Sequence, residues 1–284
     1  MDKTRKPEIC VVHLVRAKNG IEPFRQFLES YANNRGGIEH DLLIIFKGFY
    51  RKRGSTEYNK LLKDSTHKTL FVSDIGYDIR PYFIVAKTFD YKYFCFLNSY
   101  SVILDKDWLL KMYRYISYDN VGVVGATGSY QSGYSMLLNS PVKKKGEYPL
   151  FLRKCIRKYR LIVFKRYFDP FPNYHIRTNA FMISKDLMCK IQCKSIHRKF
   201  DVYRFESSKK SLTKQIINMK YRVLVVGKDG KCYEKEDWYK SDTFWIGNQS
   251  NLLIADNQTR AYLAADPERK RELSQYAWGD KQNL

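Results

Sequence analysis

The stretch TLFVSDIGYDIRPYFIVAKTFDYKYFCFLNSYS, residues 69–101, decides the fold. It opens on a short apolar run, residues 69–72, which breaks into Ser73-Asp74-Ile75-Gly76-Tyr77-Asp78. Pro81 marks a first helical turn, where a fixed φ and a missing N–H cost nothing, and the helix is expected to reach Phe89. Residues 93–97 (YFCFL) form a second apolar run and stop at Asn98-Ser99-Tyr100-Ser101. Strand, helix, strand at this spacing is the connection that joins parallel strands.

Upstream, ICVVHLV (9–15) reads as a buried strand running into a polar loop, residues 16–20. Phe24, Phe27, Leu28 and Tyr31 follow at helical spacing, and residues 33–37 (NNRGG) end that helix. Residues 41–46 are the next strand and close at Lys47-Gly48. Downstream, Trp108 opens a helix expected to reach Tyr118, and residues 121–124 make a further strand. Alternation of this kind builds an α/β fold, an open and mostly parallel sheet flanked by helices. No repeat or flexible linker interrupts it, so residues 1–241 are expected to form one domain, with 242–284 as a C-terminal helical tail docked on it. Such sheets bind ligands at the carboxyl ends of their strands. The loops at 16–20, 47–48, 74–80 and 98–101 therefore line one crevice. His13, inside an apolar strand, is expected to be a core histidine.

The 284 residues hold 51 Lys and Arg against 29 Asp and Glu, a formal charge of +22. With 44% hydrophobic residues, 23 Tyr and 17 Phe, the chain is too apolar for a disordered basic tail. Its charge calls for an anionic partner: nucleic acid, an anionic membrane surface or a phosphorylated substrate. The charge is concentrated. Residues 143–166 (KKKGEYPLFLRKCIRKYRLIVFKR) carry ten Lys and Arg and one acid, Glu147. Arg153, Lys154, Arg157 and Lys158 interleave there with apolar side chains, which suits a peripheral anionic membrane surface. A solvated helix face with its apolar side in the core is the other reading. No helix-turn-helix, zinc-finger or RNP-like segment appears, and Gly-x-Gly-x-x-Gly and Walker patterns are absent, which disfavours nucleic acid. The six cysteines read as structural thiols, with Cys10, Cys95 and Cys155 in apolar runs. Without an export signal or a run of ~20 apolar residues, a cytoplasmic setting is expected, peripheral on the inner face of a membrane.

From Asp74-Ile75-Gly76 through Arg80 to Asn98-Ser99-Tyr100-Ser101, the sequence resembles inverting glycosyltransferases of family 2 type, which have a GT-A fold. Asp107-Trp108-Leu109, Val121-Gly122-Val123-Val124-Gly125 and His175-Ile176-Arg177-Thr178-Asn179-Ala180 continue the resemblance in order, as does Phe205-Glu206 with the segment after it. The resemblance implies a nucleotide-sugar donor, a glycan or lipid-linked glycan acceptor, and donor contacts from Arg16, Asp74, Arg80, Asn98 and Tyr100. The family's Asp-x-Asp falls on Asn98-Ser99-Tyr100, which has no carboxylate. Three arrangements are open: a divalent metal (Mg or Mn) held weakly, cations such as Arg80 or Lys47 clamping the diphosphate instead, or loss of donor binding. The basicity favours the second, with no protein residue assigned to a metal.

Inverting transfer needs a carboxylate to take the acceptor's proton. The resemblance gives that role to Glu206, with Asp201 sharing the site and Arg204 or His175 setting protonation. Without it, Glu206 caps the following helix and Asp201 pairs with Arg198 or Lys199. His175, Arg177, Asn179 and Trp245 are the acceptor-side candidates; a structural turn and a tail-packing Trp are their plainer readings. From another class, the alternative is a non-catalytic basic module for nucleic acid or anionic glycan on a degenerate transferase fold.

Overall fold

A computed structural model describes residues 7–49, 52–63, 65–140, 149–193 and 196–280. The first half runs β1 (Ile9–Arg16), α1 (Glu22–Asn33), β2 (Asp41–Lys47), α2 (Thr56–Leu61), β3 (Lys68–Val72), α3 (Ile79–Thr88), β4 (Tyr93–Leu97), β5 (Val102–Ile103), α4 (Trp108–Ile116) and β6 (Val121–Gly125). It continues through β7 (Gly128–Ser129), α5 (Gly133–Asn139), α6 (Leu150–Tyr167), β8 (His175–Ile176), β9 (Ala180–Ser184), α7 (Lys185–Lys190), α8 (Lys199–Ser207) and α9 (Leu212–Asn218). The last elements are β10 (Arg222–Val226), β11 (Cys232–Tyr233), β12 (Ile254–Ala255), α10 (Asn257–Ala264) and α11 (Pro267–Trp278).

One sheet holds eight of the strands in the order β11-β10-β6-β9-β4-β1-β2-β3. β3, β2, β1 and β4 are parallel, and β10 is parallel to β6. β9 runs against both β4 and β6, and β11 runs against β10. The reversal of β9 has a local cause. The chain leaves the end of β6, pairs β7 with β8 around the excursion that carries α5 and α6, and re-enters the sheet at the same end, with Ala180 opposite Leu97. This mostly parallel sheet with helices on both faces is a GT-A-like α/β fold. The reversal also brings Asn179 to the end where β1, β2, β3 and β4 stop.

Alternation along β1 supplies both cores. Cys10, Val12 and Leu14 join one buried cluster, and Ile9, Val11 and Val15 join the other. His13 points to the second face, between Phe24 and Phe27 of α1, with its ring stacked 3.6 Å from Phe27. Neither ring nitrogen has a hydrogen-bond partner among the described residues. Burial pushes its pKa down to about 3 from 6.5, so it is a neutral core residue. The unfolded imidazole protonates near pH 6.5 and the folded one only near 3. Between those values the unfolded chain binds more protons, and His13 lowers stability by about 1.4 kcal/mol per pH unit of acidification. Denaturant midpoints measured from pH 7 to 4 should show this slope. His13→Leu should reduce it, leaving the part due to His175 and His40, whose pKa values burial also lowers.

Residues 242–280 enter the same core. β12 pairs with β5, and Trp278 is fully buried, donating from Nε1 to the Phe244 carbonyl at 2.6 Å. Cys155 departs from the expectation of a buried thiol: all six cysteines are free, and Cys155 is exposed on α6.

Candidate active site

Asp74 organises the first half of the crevice. Its carboxylate accepts from Arg16 Nε at 2.8 Å and Nη2 at 3.1 Å, and from Lys47 Nζ at 2.7 Å, and it pairs with Lys18 Nζ at 3.0 Å. Arg16 and Lys47 end neighbouring strands, while Lys18 and Asp74 lie on the loops just beyond β1 and β3. Two glycines make the approach feasible. Gly48 (φ +75°) has its missing Cβ 3.0 Å from the Cβ of Asp74, and at Gly76 (φ +81°) a Cβ would lie 2.6 Å from that of Arg80. Left-handed backbone at both positions is open to glycine at no steric cost. The bonds from Arg16, and then from Lys47 and Lys18, hold the Asp74 carboxyl well below the usual range. Lys47 is completely buried; burial lowers its pKa and Asp74 draws it back up.

Asp78 is the carboxylate that sequence reasoning missed. It stands at the N-cap position of α3, yet its side chain makes no cap hydrogen bond. Burial raises its pKa, opposed by Lys47 and Arg16 and reinforced by Glu206. It therefore faces the ground between the cation cluster and Glu206. Lys18 was missed as well. The signal for both was position, on loops at the carboxyl ends of β1 and β3.

In the middle of the crevice, Asn98 Oδ1 accepts from Tyr100 N at 3.0 Å and Ser101 Oγ at 3.1 Å, closing a tight turn. Asn98 N donates to the Asn179 carbonyl at 2.8 Å, tying the turn to the start of β9. These residues do not fit a divalent cation. The single hard oxygen is spent on the turn, and Asp74 is spent on three cations. Among the described residues no cluster of three His, Cys, Asp or Glu side chains is placed to hold a metal. Tyr100 gives its carbonyl to Arg260 Nη2 at 3.4 Å.

Glu206 lies in the last turn of α8. Its Oε1 accepts from Thr178 N at 2.9 Å and Thr178 Oγ1 at 3.1 Å, which fixes the carboxylate and leaves Oε2 unbonded among the described residues. Ser211, not Glu206, caps α9, accepting from Lys214 N. His175 is buried beside Glu206; its Nδ1 donates to the Asn173 carbonyl at 2.8 Å, and burial lowers its pKa while Glu206 opposes the shift. Thr178 was legible only as a member of the polar run before β9.

Several expected site residues lie elsewhere. Asp201 does not share the site: at the start of α8 it accepts from His197 N and Arg198 N, a capping bond, at 3.1 and 2.9 Å. Five residues along a helix also turns it about 140° from Glu206. Arg204 sits over the Tyr167 ring at 4.2 Å rather than beside Glu206. Arg80 lines a groove of about 220 Å³ with Phe83, Lys87 and Cys189, away from the Asp74 cluster, because its stem packs over Gly76. Arg177 is committed to the tail, with Nη2 2.9 Å from Asp256 Oδ2 and its guanidinium 4.1 Å from the Phe244 ring centre. Asn179 Oδ1 accepts from Thr127 Oγ1 at 2.8 Å, and its Nδ2 is buried without a partner among the described residues. Trp245 stacks on Phe244 at 4.5 Å and donates from Nε1 to the Gln258 carbonyl.

No protein-family model and no curated protein matches the chain. Among solved structures it is similar to a mannosyltransferase from Pyrobaculum calidifontis in complex with GDP-Man and Mn2+, at 10% identity and a TM-score of 0.48, over 96% of this chain and 70% of that one. It is similar to 4-diphosphocytidyl-2C-methyl-D-erythritol synthase from Anaerococcus prevotii at 13% identity and a TM-score of 0.42, over 78% and 88% of the two chains. S. aureus TarS in complex with UDP-GlcNAc gives 13% and 0.34, over 50% of this chain and 37% of that one. The GT-A-like fold of this chain stands on its own strand order, with one reversed strand between β4 and β6.

Proposed function

We propose that the protein is an inverting glycosyltransferase that moves a sugar from a nucleotide-sugar donor to a hydroxyl of a cell-surface glycan or lipid-linked acceptor. The observation that carries this reading is the division of one crevice. Arg16, Lys18 and Lys47 gather at one end, and an anchored carboxylate with a free oxygen, Glu206 Oε2, stands at the other.

The chemistry follows from that division. The acceptor oxygen attacks the anomeric carbon as the bond to the diphosphate breaks, and the leaving group takes the electron pair. Charge builds on the diphosphate, which the exposed Lys18 and partly exposed Arg16 can meet, while buried Lys47 helps to neutralise Asp74 between them. The acceptor's proton goes to Glu206 Oε2, on the side away from the leaving group. Thr178 holds Oε1, so the carboxylate loses little freedom when the acceptor arrives. The six free cysteines suit a reducing compartment, and the reading places the enzyme in the cytoplasm.

Calorimetry with UDP, GDP and CMP beside a random oligonucleotide tests the proposal. One nucleotide should bind at micromolar Kd, with affinity changing less than threefold on adding EDTA. Salt-steep oligonucleotide binding with no nucleotide binding would favour the non-catalytic basic module and sink the transferase reading.

A further inference from the structure

The helix α6 (Leu150–Tyr167) turns an apolar face outward. None of its residues is buried. Phe151 is 78% exposed, Tyr159 69% and Ile162 64%, values at odds with a helix folding its apolar side into the core. At 100° per residue, Phe151, Cys155, Tyr159 and Ile162 fall within an arc of about 80°. Lys154, Lys158 and Lys165 flank that arc on one side. The half-buried side of the helix carries Arg153, Arg157, Leu161 and Phe164. Arg153 and Arg157 therefore depart from the expected cationic surface, which keeps Lys154 and Lys158; Arg157 Nη2 donates to the carbonyls of Leu137, Leu138 and Ser140 and so closes the end of α5. The lysine run 143–145 lies outside the described residues.

We propose that this face docks the protein onto an anionic lipid bilayer. The helix carries seven Lys and Arg and no acid. That composition opposes pairing with a second copy of itself and matches a negative surface. Aromatic side chains alone would equally serve single-stranded nucleic acid by stacking. The exposed aliphatic groups, Ile162 within the arc, Ile156 beside it and Leu138 on the neighbouring α5, have no use there but partition into the headgroup boundary. No helix among the described residues is long and apolar enough to cross a membrane, so the contact is with one surface.

The placement ties docking to the crevice. Both ends of the segment carrying α5 and α6 leave the sheet where β6 ends and β9 begins. The far end of α6 packs on α8, the helix of Glu206, through Phe164 against Phe200 at 5.7 Å and Phe168 against Tyr203 at 4.8 Å. Docking is independent of the donor chemistry; its consequence, that the acceptor is presented from the bilayer at a fixed height to Glu206, rests on the reading above.

Co-sedimentation of the full chain with vesicles tests it, without any substrate. Equal parts of phosphatidylglycerol and phosphatidylcholine should bind the protein at least tenfold better than phosphatidylcholine alone. Phe151→Ser with Ile162→Ser should cut partitioning at least tenfold. Lys154→Gln, Lys158→Gln and Lys165→Gln together should cut it about a hundredfold. The same charge removed at exposed Lys87, Lys106 and Lys220 should cost under tenfold. Phe151→Trp should shift its emission to the blue on anionic vesicles, and unchanged far-UV circular dichroism checks the fold of each variant. Wild type that ignores anionic vesicles, equal losses from both lysine triplets, or a face that captures single-stranded RNA instead of vesicles would each overturn the proposal. If vesicles bind and no sugar is transferred, the docking stands and the transferase reading fails.

Discussion

Glu206→Gln should lower kcat by 10²- to 10⁴-fold while leaving the Kd for the donor nucleotide within threefold of wild type. The substitution is clean because Thr178 N and Oγ1 both donate to Oε1, and a glutamine carbonyl accepts the same two bonds. What disappears is the capacity of the second oxygen to take a proton. Glu206→Asp, which keeps the charge but withdraws it by a methylene, should recover only part of the rate. Asp201→Asn should leave kcat within threefold, since that carboxylate serves the start of α8. Steady-state rates with the identified donor, read beside calorimetric Kd values, decide the matter. A glutamine variant within fivefold of wild-type kcat would remove Glu206 from the base role.

Asp256→Asn should destabilise the protein by about 3 kcal/mol or more, one of the largest single-residue effects the structure offers. Asp256 is 1% exposed, and its Oδ2 is the carboxylate partner of Arg177. Losing the charge leaves a guanidinium in a place with little water. Its remaining contacts there are the face of Phe244 and a long bond to Thr127 Oγ1 at 3.4 Å. Asparagine still caps α10 in place of Asp256 Oδ1, so the loss reports the ion pair; Asp256→Ala should cost about 1 kcal/mol more. Urea midpoints with the slope held fixed measure both. Arg177→Met should cost a similar amount, and the double variant Arg177→Met/Asp256→Asn less than the sum, because neither charge is then stranded. Purely additive losses would show that the two side chains do not act as a pair.

The sheet was legible because β1, β2 and β4 are apolar runs bounded by polar loops, and buried parallel strands leave that mark. The crevice was legible for the same reason, since the strand ends are also the loops. Individual side chains were harder. Asp78 sits where an aspartate ordinarily caps a helix, and neither the missing cap bond nor the burial that raises its pKa leaves a mark in the sequence. Asp201 was misplaced although His197-Arg198-Lys199-Phe200-Asp201 contains a helix start; a carboxylate three residues into a helix bonds the backbone amides before it. Arg157 and Lys158 are neighbours in sequence, and which of them faces inward depends on where α5 ends. The tie between Arg177 and Asp256 spans 79 positions and leaves no local trace. The outward apolar face of α6 was foreshadowed by composition, but its direction is a property of packing.

The pairing of β7 with β8 has an architectural consequence. Gly128 stands opposite Ile176 and Ser129 opposite His175, so everything between them is a closed excursion whose two ends meet. The sheet register on either side is indifferent to how long that excursion is. Doubling its length would add only about 0.6 kcal/mol of closure entropy. The segment bearing α5 and α6 is therefore free of the sheet's register yet still tied to the core, since Tyr130 is fully buried and Phe164 and Phe168 pack on α8. Its outward side chains can be exchanged while the strands, and the geometry at their carboxyl ends, stay as they are; its inward ones cannot.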